Sequence, residues 1–403
     1  MLIAYVALIL SAALVFHIIA GYPLLLALGK GNVRPPIAKD PAFRTTVSVI
    51  LAVHNGEALI RRKLEGLLAL DYPHELLSII VVSDGSTDGT EAIVREFDGK
   101  GVTLLAVPRG GKAAAVNYGL AVATGEILFF TDVRQPLEPG CLRHLVANFA
   151  DPTVGAVTGE LHLLPGDSGE QADMSFYWRY EIWARQRQSA IDSLFNTTGC
   201  IYAMRRSLAR PIPGDTLTDD AMLPLRAFFE GYRVIFDPAA IAFDYPAVAG
   251  TEFRRRFRTL AGLWQVYTRL PELFTRKNRM RFHFLSHKFG RLMLPWLIIV
   301  IFSATIALDG SWFRSSILTG GAIWLLLALS DGFVAPDRAL KRLTSPARTF
   351  LVMNTASLAS IAVFFVPATR LWTLTKVNHP AAPGHVRNLN RPNVPPPSAT
   401  VTG

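Results

Sequence analysis

The chain puts its reactive side chains where apolar runs end. His54-Asn55-Gly56-Glu57 follows the β-branched run Val47–Val53, and Ser83-Asp84-Gly85-Ser86 follows Leu77–Val82. Pro108–Lys112 follows Val102–Val107, and Asp132-Val133-Arg134 follows Ile127–Thr131. Asp132 carries the sharpest signal. A carboxylate emerging from a buried apolar strand needs a partner, and a divalent cation or a nucleotide supplies one. Arg109-Gly110-Gly111-Lys112 can cradle a phosphate through backbone N–H groups, with the lysine as a point charge. It lacks P-loop spacing and suits a surface turn as well. Asp84 and the residues up to Thr90 read equally as a turn followed by a helix cap. Together the loops make an anion site with a carboxylate floor, which suits a nucleoside diphosphate.

Such loops need a frame that brings them to one edge. Helical patterns at Ala58–Leu70, Thr87–Phe97 and Lys112–Ala123 alternate with the apolar runs, as βαβ units around a mostly parallel sheet do. Sheets of that kind bind ligands outside the carboxyl ends of their strands, where all four loops fall. The fold class is therefore read as α/β, in a domain over 31–247.

Leu2–Leu28, Leu292–Leu308, Ile317–Val334 and Phe350–Ala368 are apolar enough to span a bilayer, the last three near the lower limit of roughly 17 residues. The first has no basic residue before it and reads as an uncleaved anchor over 1–30 rather than a signal peptide. With 50% hydrophobic and 18% charged residues the chain is not disordered, and two cysteines, Cys141 and Cys200, exclude a disulfide framework. The net charge of +10 is concentrated, since Phe253–Arg291 holds eleven Lys/Arg against one acid, Glu272. A basic stretch leading straight into an apolar one is a belt for anionic membrane lipid before it is a nucleic-acid face. Residues 248–291 are thus read as interfacial, with Arg254–Arg281 an amphipathic helix bearing Phe253, Phe257, Leu260 and Trp264. By the positive-inside rule Lys30, Arg34, Lys39, Lys288, Arg291, Arg338, Lys341, Arg342 and Arg348 put the α/β domain in the cytoplasm, and the Asp309–Ser316 loop faces out. Three helices over 292–370 then send residues 371–403 outside despite Arg370, Lys376, Arg387 and Arg391, unless one segment is re-entrant. From Pro380 the tail reads as disordered.

Val47–Glu57, Val81–Thr90, Gly111–Leu120 and Glu126–Asp132, followed by Thr198–Arg206 and Thr218-Asp219-Asp220, resemble the ordered motifs of family 2 glycosyltransferases with a GT-A fold. The resemblance covers roughly Thr45 to Gly262, and the flanking helices are similar to those of cellulose, hyaluronan and poly-N-acetylglucosamine synthases. It implies a nucleotide-sugar donor, with Asp84 at the uracil and ribose beside Ala52, His54 and Glu57. Asp132 matches the first aspartate of the Asp-x-Asp motif, which holds the diphosphate through Mg²⁺ or Mn²⁺. Asp220 matches the general base of the Thr-Glu-Asp motif, with Asp219 as the helix cap. Inverting transfer is a displacement at the anomeric carbon, so one carboxylate must take the acceptor's proton while charge grows on the departing diphosphate. A cation, or Lys112 and arginines, meets that charge. Acids at 219 and 220 also suit a helix N-terminus for its own sake, and the two roles are compatible.

Two positions depart from the family pattern. Arg134, followed by Gln135, stands where the second aspartate of Asp-x-Asp belongs. Arg255-Arg256-Phe257-Arg258-Thr259 keeps only Arg258 of the Gln-x-x-Arg-Trp motif, whose Trp caps the acceptor site of processive enzymes. Arg134 is read as a donor-phosphate ligand beside a loosely held ion, or alternatively as a surface pair with Glu138. Trp178 and Trp264 are read as packing or interfacial anchors, with an acceptor platform as the alternative. The expectation is a multi-pass inner-membrane transferase moving a hexosyl or N-acetylhexosaminyl group from a UDP-linked donor to a glycan or lipid-linked acceptor. The alternatives are single-sugar transfer to a lipid and a catalytically silent scaffold. Four helices are few for a glycan channel, which leaves room for a homo-oligomer or a secretion partner. No nucleic-acid partner is expected.

Overall fold

Helices α1 (Leu2–Phe16) and α2 (Tyr22–Leu28) run on through a π-helical turn at His17–Gly21, so the first apolar segment is one rod. The computed structural model describes residues 1–29, 34–164, 171–245, 252–310, 312–335 and 338–371. Lys30 and the tail from Pro380 lie outside them.

The four apolar runs are strands: β1 (Val47–Val53), β2 (Leu77–Asp84), β3 (Val102–Val107) and β4 (Ile127–Phe130). Helices α3 (Glu57–Leu68), α4 (Thr90–Arg95) and α5 (Lys112–Val122) connect them. After α6 (Cys141–Ala147) come β5 (Val154–Leu163), α7 (Gln171–Ile191), β6 (Tyr202–Arg205), α8 (Asp219–Phe229) and β7 (Arg233–Asp244). All seven strands share one sheet in the order β3-β2-β1-β4-β6-β5-β7. β1 is parallel to β2 and β4, β2 to β3, and β5 to β7, while β6 runs against both β4 and β5. Two antiparallel pairings through one short strand leave the other six pointing the same way. Their carboxyl ends therefore form one edge, and Asp84, Asp132 and Asp244 all stand on it. Burial on both faces explains the near-continuous apolar strands, with Val49, Leu51, Leu128 and Phe129 fully enclosed.

Helix α9 (Glu252–Arg269) is shorter than the expected Arg254–Arg281 helix. Pro271 opens a 3₁₀ turn over Pro271–Phe274, and proline cannot continue the helical hydrogen bonding. Beyond it, α10 (Arg281–His283) and a π-helical stretch at Phe284–Phe289 lead into α11 (Gly290–Ile306), followed by α12 (Trp312–Ser330), α13 (Lys341–Ala359) and α14 (Ala368–Leu371). Among the described residues, four helical stretches are long and apolar enough to cross a membrane: Leu2–Leu28, Arg281–Ile306, Trp312–Phe333 and Lys341–Phe364. Leu8 packs beside Ala304 and Leu308, and His17 shares a 2.9 Å hydrogen bond with Ser286, so the first two lie antiparallel.

The fourth stretch takes a different course. Its first turns bind the buried Asp331 at the end of α12, through Lys341 at 2.9 Å, Thr344 at 2.8 Å and Arg348 at 3.2 Å. Its last turn donates from Ser357 Oγ to the Leu292 carbonyl (3.0 Å), and Ser360 just beyond accepts from Trp264 Nε1 of α9 (3.1 Å). Ala368 and Leu371 then pack with Ala261 of α9 and with Leu217, next to the Thr218-Asp219-Asp220 motif. The chain thus returns to the α/β domain after α13.

Candidate active site

Asp84 closes β2 almost fully buried, and both its oxygens are in use. They accept from the Gly110 N–H (2.6 Å), the Gly111 N–H (3.1 and 3.0 Å) and the Arg109 guanidinium. The Asp84 side chain therefore shapes the Arg109–Lys112 loop. Gly85 (φ +60°) is required there, because a Cβ would stand 2.8 Å from the Arg109 backbone nitrogen. His54 Nδ1 donates to the Asp84 carbonyl (2.8 Å), and Ala52 pairs in register with Val82 one step inside the edge. Glu57 sits at the rim, where Oε2 accepts from the Gly89 N–H (2.9 Å) and fastens the 84–90 loop to α3.

Lys112, the first residue of α5, joins the two halves of the site. Its Nζ lies 2.9 Å from Asp132 Oδ1 and 3.4 Å from Asp219 Oδ1. Burial works against the ammonium, but Asp132, Asp219 and Asp220 outweigh it and hold the amine above its ordinary range. Burial likewise opposes the Asp132 carboxylate, and Lys112, Arg134 and Lys63 keep it below the usual carboxylate range. Asp220 behaves in the opposite way. Burial and the negative Asp219 and Asp132 push its carboxyl up to about 7, against the pull of Lys112 and Arg185. Its backbone carbonyl accepts from Thr197 N–H (2.9 Å) and Oγ1 (2.8 Å), and its side chain faces Gly199, where a Cβ would lie 3.3 Å from Oδ2. Two adjacent acids thus differ in role: Asp219 is buried and bound to Lys112, whereas Asp220 is poised near neutrality.

Arg134 does not pair with Glu138. Its Nε and Nη2 make a two-pronged bridge to the buried Asp244 at the end of β7 (3.0 and 2.8 Å), and Gln135 Nε2 donates to the same carboxylate (3.1 Å). Arg258 reaches the site from α9. Burial lowers its guanidinium from the ordinary value while Asp132, Asp220 and Asp219 pull it back up, which sets it among the acids. Trp178 Nε1 donates to the Leu161 carbonyl (3.1 Å), and Trp264 meets Phe364 edge to face, so each has a packing partner.

Residues 48–212 match the family model described as Glycosyl transferase family 2. The chain carries a family 2 glycosyltransferase domain. Relatives include a Bacillus subtilis (strain 168) protein named Probable glycosyltransferase YdaM, 29% identical over 59% of this chain and 60% of its own length. A Beta-monoglucosyldiacylglycerol synthase of Nostoc sp. is 28% identical over 58% of this chain and 52% of its own length. The chain thus spans little more than half the length of these curated relatives. Among solved structures, the mannosyltransferase PcManGT from Pyrobaculum calidifontis, in complex with GDP-Man and Mn²⁺, superposes with a TM-score of 0.69 at 26% identity, covering 89% of this chain and 99% of that one. The GT-A sheet is therefore common to both.

The matched stretch ends before Asp219 and Asp220, whose place in the site rests on geometry. A divalent ion meets a sparse donor set here: among the described residues no group of three or more His, Cys, Asp or Glu could hold one. Asp132 pairs with Lys112 through Oδ1 alone and Asp219 Oδ2 is a buried oxygen without a hydrogen-bond partner among the described residues, which fits an ion completed by diphosphate oxygens and water.

The α/β domain also buries polar groups beside the site that the motifs did not reveal. Lys63 is buried under Asp132, donating to Thr131 Oγ1 (2.8 Å) and the Gln135 carbonyl (2.6 Å), and burial pulls its amine down to about 8. A lysine sharing the apolar face of Ile60, Leu64 and Leu67 was its signal in the sequence. Asp244 was detectable by the strand-end rule that found Asp132. Arg185, which donates to Thr198 Oγ1 (2.7 Å), had no such signal, because α7 and β6 meet only in the fold.

Proposed function

We propose that the protein is a membrane-bound inverting glycosyltransferase that uses a nucleotide sugar and takes an acceptor presented at the membrane surface. The observation that carries this reading is the Lys112 bridge between Asp132 and Asp219 with Asp220 raised to about 7 beside it. That arrangement sets a cation for the diphosphate against a carboxylate able to take a proton at neutral pH. The acceptor oxygen attacks the anomeric carbon, the bond to the diphosphate breaks, and the acceptor proton passes to Asp220. Lys112 and Arg258 meet the charge left on the departing nucleoside diphosphate. A divalent ion held through Asp132 would add Lewis-acid charge at that diphosphate when bound. Ala52, His54 and the Asp84-anchored loop, with Glu57 at its rim, bind the nucleoside. Arg134, fixed on Asp244, adds positive charge next to Asp132. A UDP donor is our first choice, with GDP the competing base given the GDP-Man complex of the archaeal neighbour.

The proximity of α9, α13 and α14 to the base favours a lipid-linked or membrane-extruded acceptor over a free sugar. Relatives named for a glycolipid and for a glycan product support this, a beta-monoglucosyldiacylglycerol synthase and a poly-beta-1,6-N-acetyl-D-glucosamine synthase among them. For topology we read three crossings with the family 2 domain in the cytoplasm of a cell inner membrane. The fourth apolar helix enters and leaves on the domain's side, which accounts for the basic residues Arg338, Lys341, Arg342, Arg348 and Arg370 near both its ends.

Asp220→Asn tests the reading. It keeps shape but cannot accept a proton, so turnover of UDP- or GDP-sugar should fall by roughly 10²–10⁴-fold with nucleoside diphosphate affinity retained. Turnover near the wild-type rate would remove Asp220 as base. EDTA should slow the wild-type protein and Mg²⁺ or Mn²⁺ restore it; full activity in EDTA would rule out the ion. An Asp309→Cys variant should label with an impermeant thiol reagent in intact cells while Arg370→Cys stays protected.

A further inference from the structure

One face of α9 is committed to the loop that delivers the general base. Gln265 is buried, with Oε1 accepting from the Leu217 N–H (3.0 Å) and Nε2 donating to the Asp215 carbonyl (3.1 Å). One turn on, Arg269 forks onto the Asp215 carboxylate (2.8 and 2.7 Å) and donates to Thr216 Oγ1 (3.1 Å). One turn back, Gly262 lies so close to Thr218 that a Cβ would stand 2.5 Å from its Cγ2 and 2.8 Å from its Oγ1. Positions 258, 262, 265 and 269 recur at helical spacing, so a single stripe carries Arg258 into the site and grips residues 215–218 below it.

Gly214 and Asp215 are exposed, and the buried Leu217 packs with Ala261 of α9 and with Ala368 and Leu371 of α14. The opposite face of α9 rests on the end of the fourth apolar segment, through Trp264 with Ser360 and Phe364.

We propose that Gln265 is a positioning residue for proton transfer, fixing the 215–218 loop so that Asp220 enters α8 facing Lys112 and Gly199. This rests on the reading of Asp220 as the base. A side-chain amide is suited to the task. It satisfies one backbone donor and one backbone acceptor of a loop that has no secondary structure to pair with, and it adds no charge beside three acids. Loss of the grip leaves the Leu217 N–H buried and unpaired and lets Asp220 shift from its place facing Lys112 and Gly199.

The test uses full-length protein in detergent with UDP- and GDP-sugar donors, comparing Gln265→Met and Gln265→Glu with wild type. Nucleoside diphosphate affinity reports that the domain is folded and should stay within about twofold, since the Gln265 amide bonds to the 215–218 loop and not to the donor loops. In Gln265→Met, kcat should fall about tenfold or more while the donor KM stays within about twofold. Gln265→Glu keeps the acceptor for Leu217 N–H and should recover part of kcat. If Gln265→Met fails to bind nucleotide, Gly262→Ala, which leaves Gln265 in place and pushes a methyl into Thr218, carries the same two readouts. Wild-type kcat in a variant that binds nucleotide, or a Gln265→Glu variant with no more kcat than Gln265→Met, overturns the proposal. Full activity in Asp220→Asn would instead overturn the assignment of the base, and the two failures are separable.

Discussion

The two halves of the site are held in opposite ways. Around β1–β3 the loops at 54–57, 84–90 and 109–112 hold one another: Asp84 gathers Gly110 and Gly111, Glu57 takes Gly89, and Asn55 Oδ1 accepts from Thr87. Around β6 and α8 the base loop is held from outside, by α9 through Gln265 and by α7 through Arg185 and Thr198. Both outside helices have a second attachment among the apolar segments. Glu181 of α7, one turn before Arg185, binds Lys288 at 2.7 Å and Arg291 at 2.9 Å, and these cations keep its buried carboxylate well below the usual range. The nucleotide half is thus self-contained, while the base half is assembled only when the flanking helices are docked. Lys112 bridges them through Asp132 and Asp219.

That contrast predicts a graded series. Lys112→Met should be the most damaging change outside the base itself, lowering kcat by about 10²–10³-fold and weakening nucleoside diphosphate binding as well, because it removes charge from both halves. A loss confined to either parameter would place Lys112 in one half only. Arg134→Met leaves Asp244 buried without its counter-charge and should destabilise the fold by about 3–5 kcal/mol, read by denaturant unfolding in detergent. If stability holds and donor affinity collapses instead, Arg134 belongs to the donor site first. Lys63→Met strands Thr131 and the Gln135 carbonyl under Asp132 and should cost about 1–3 kcal/mol. Asp220→Asn should have the opposite effect on stability. A carboxyl raised to about 7 from the usual range near 4 keeps its full contribution to the fold only below about pH 4, and that contribution is lost as pH rises from there through 7. At pH 8 the amide should therefore be the more stable by roughly 2–4 kcal/mol, and the advantage should shrink as pH falls and disappear near pH 4. Smallest of all, Ser360→Ala removes one hydrogen bond to Trp264 and should lower kcat less than tenfold without touching nucleotide affinity.

The same division decides how much could be read without coordinates. Strands β1–β4 and their loops are consecutive and strongly patterned, so Asp84, Lys112 and Asp132 stand out by position alone. The short β6 escapes such a reading because Tyr202–Arg205 is too brief to show a period, and its antiparallel direction is set by pairing with β4 and β5, far back in the chain, as in Ala203 with Phe129 and with Val157. Arg134 was visible as a departure, but its partner Asp244 lies 110 positions on. The α9 stripe was legible as amphipathic, yet its polar side was expected to meet water and headgroups, and it meets the base loop. Among the described residues four long apolar helices stand at the four apolar runs, while the return of α13 toward the α/β domain depends on Ser357 and Ser360, two small polar residues with no sequence signal of their own.

The pH dependence of kcat for wild type and Asp220→Asn, measured on the same nucleotide sugar in detergent, tests the central claim most directly. The base must be ionised to act, so wild-type turnover should rise with pH through about 7 and level off above it, and the residual turnover of Asp220→Asn should lack that limb. An unchanged limb in Asp220→Asn would assign the titrating group elsewhere and contradict the account.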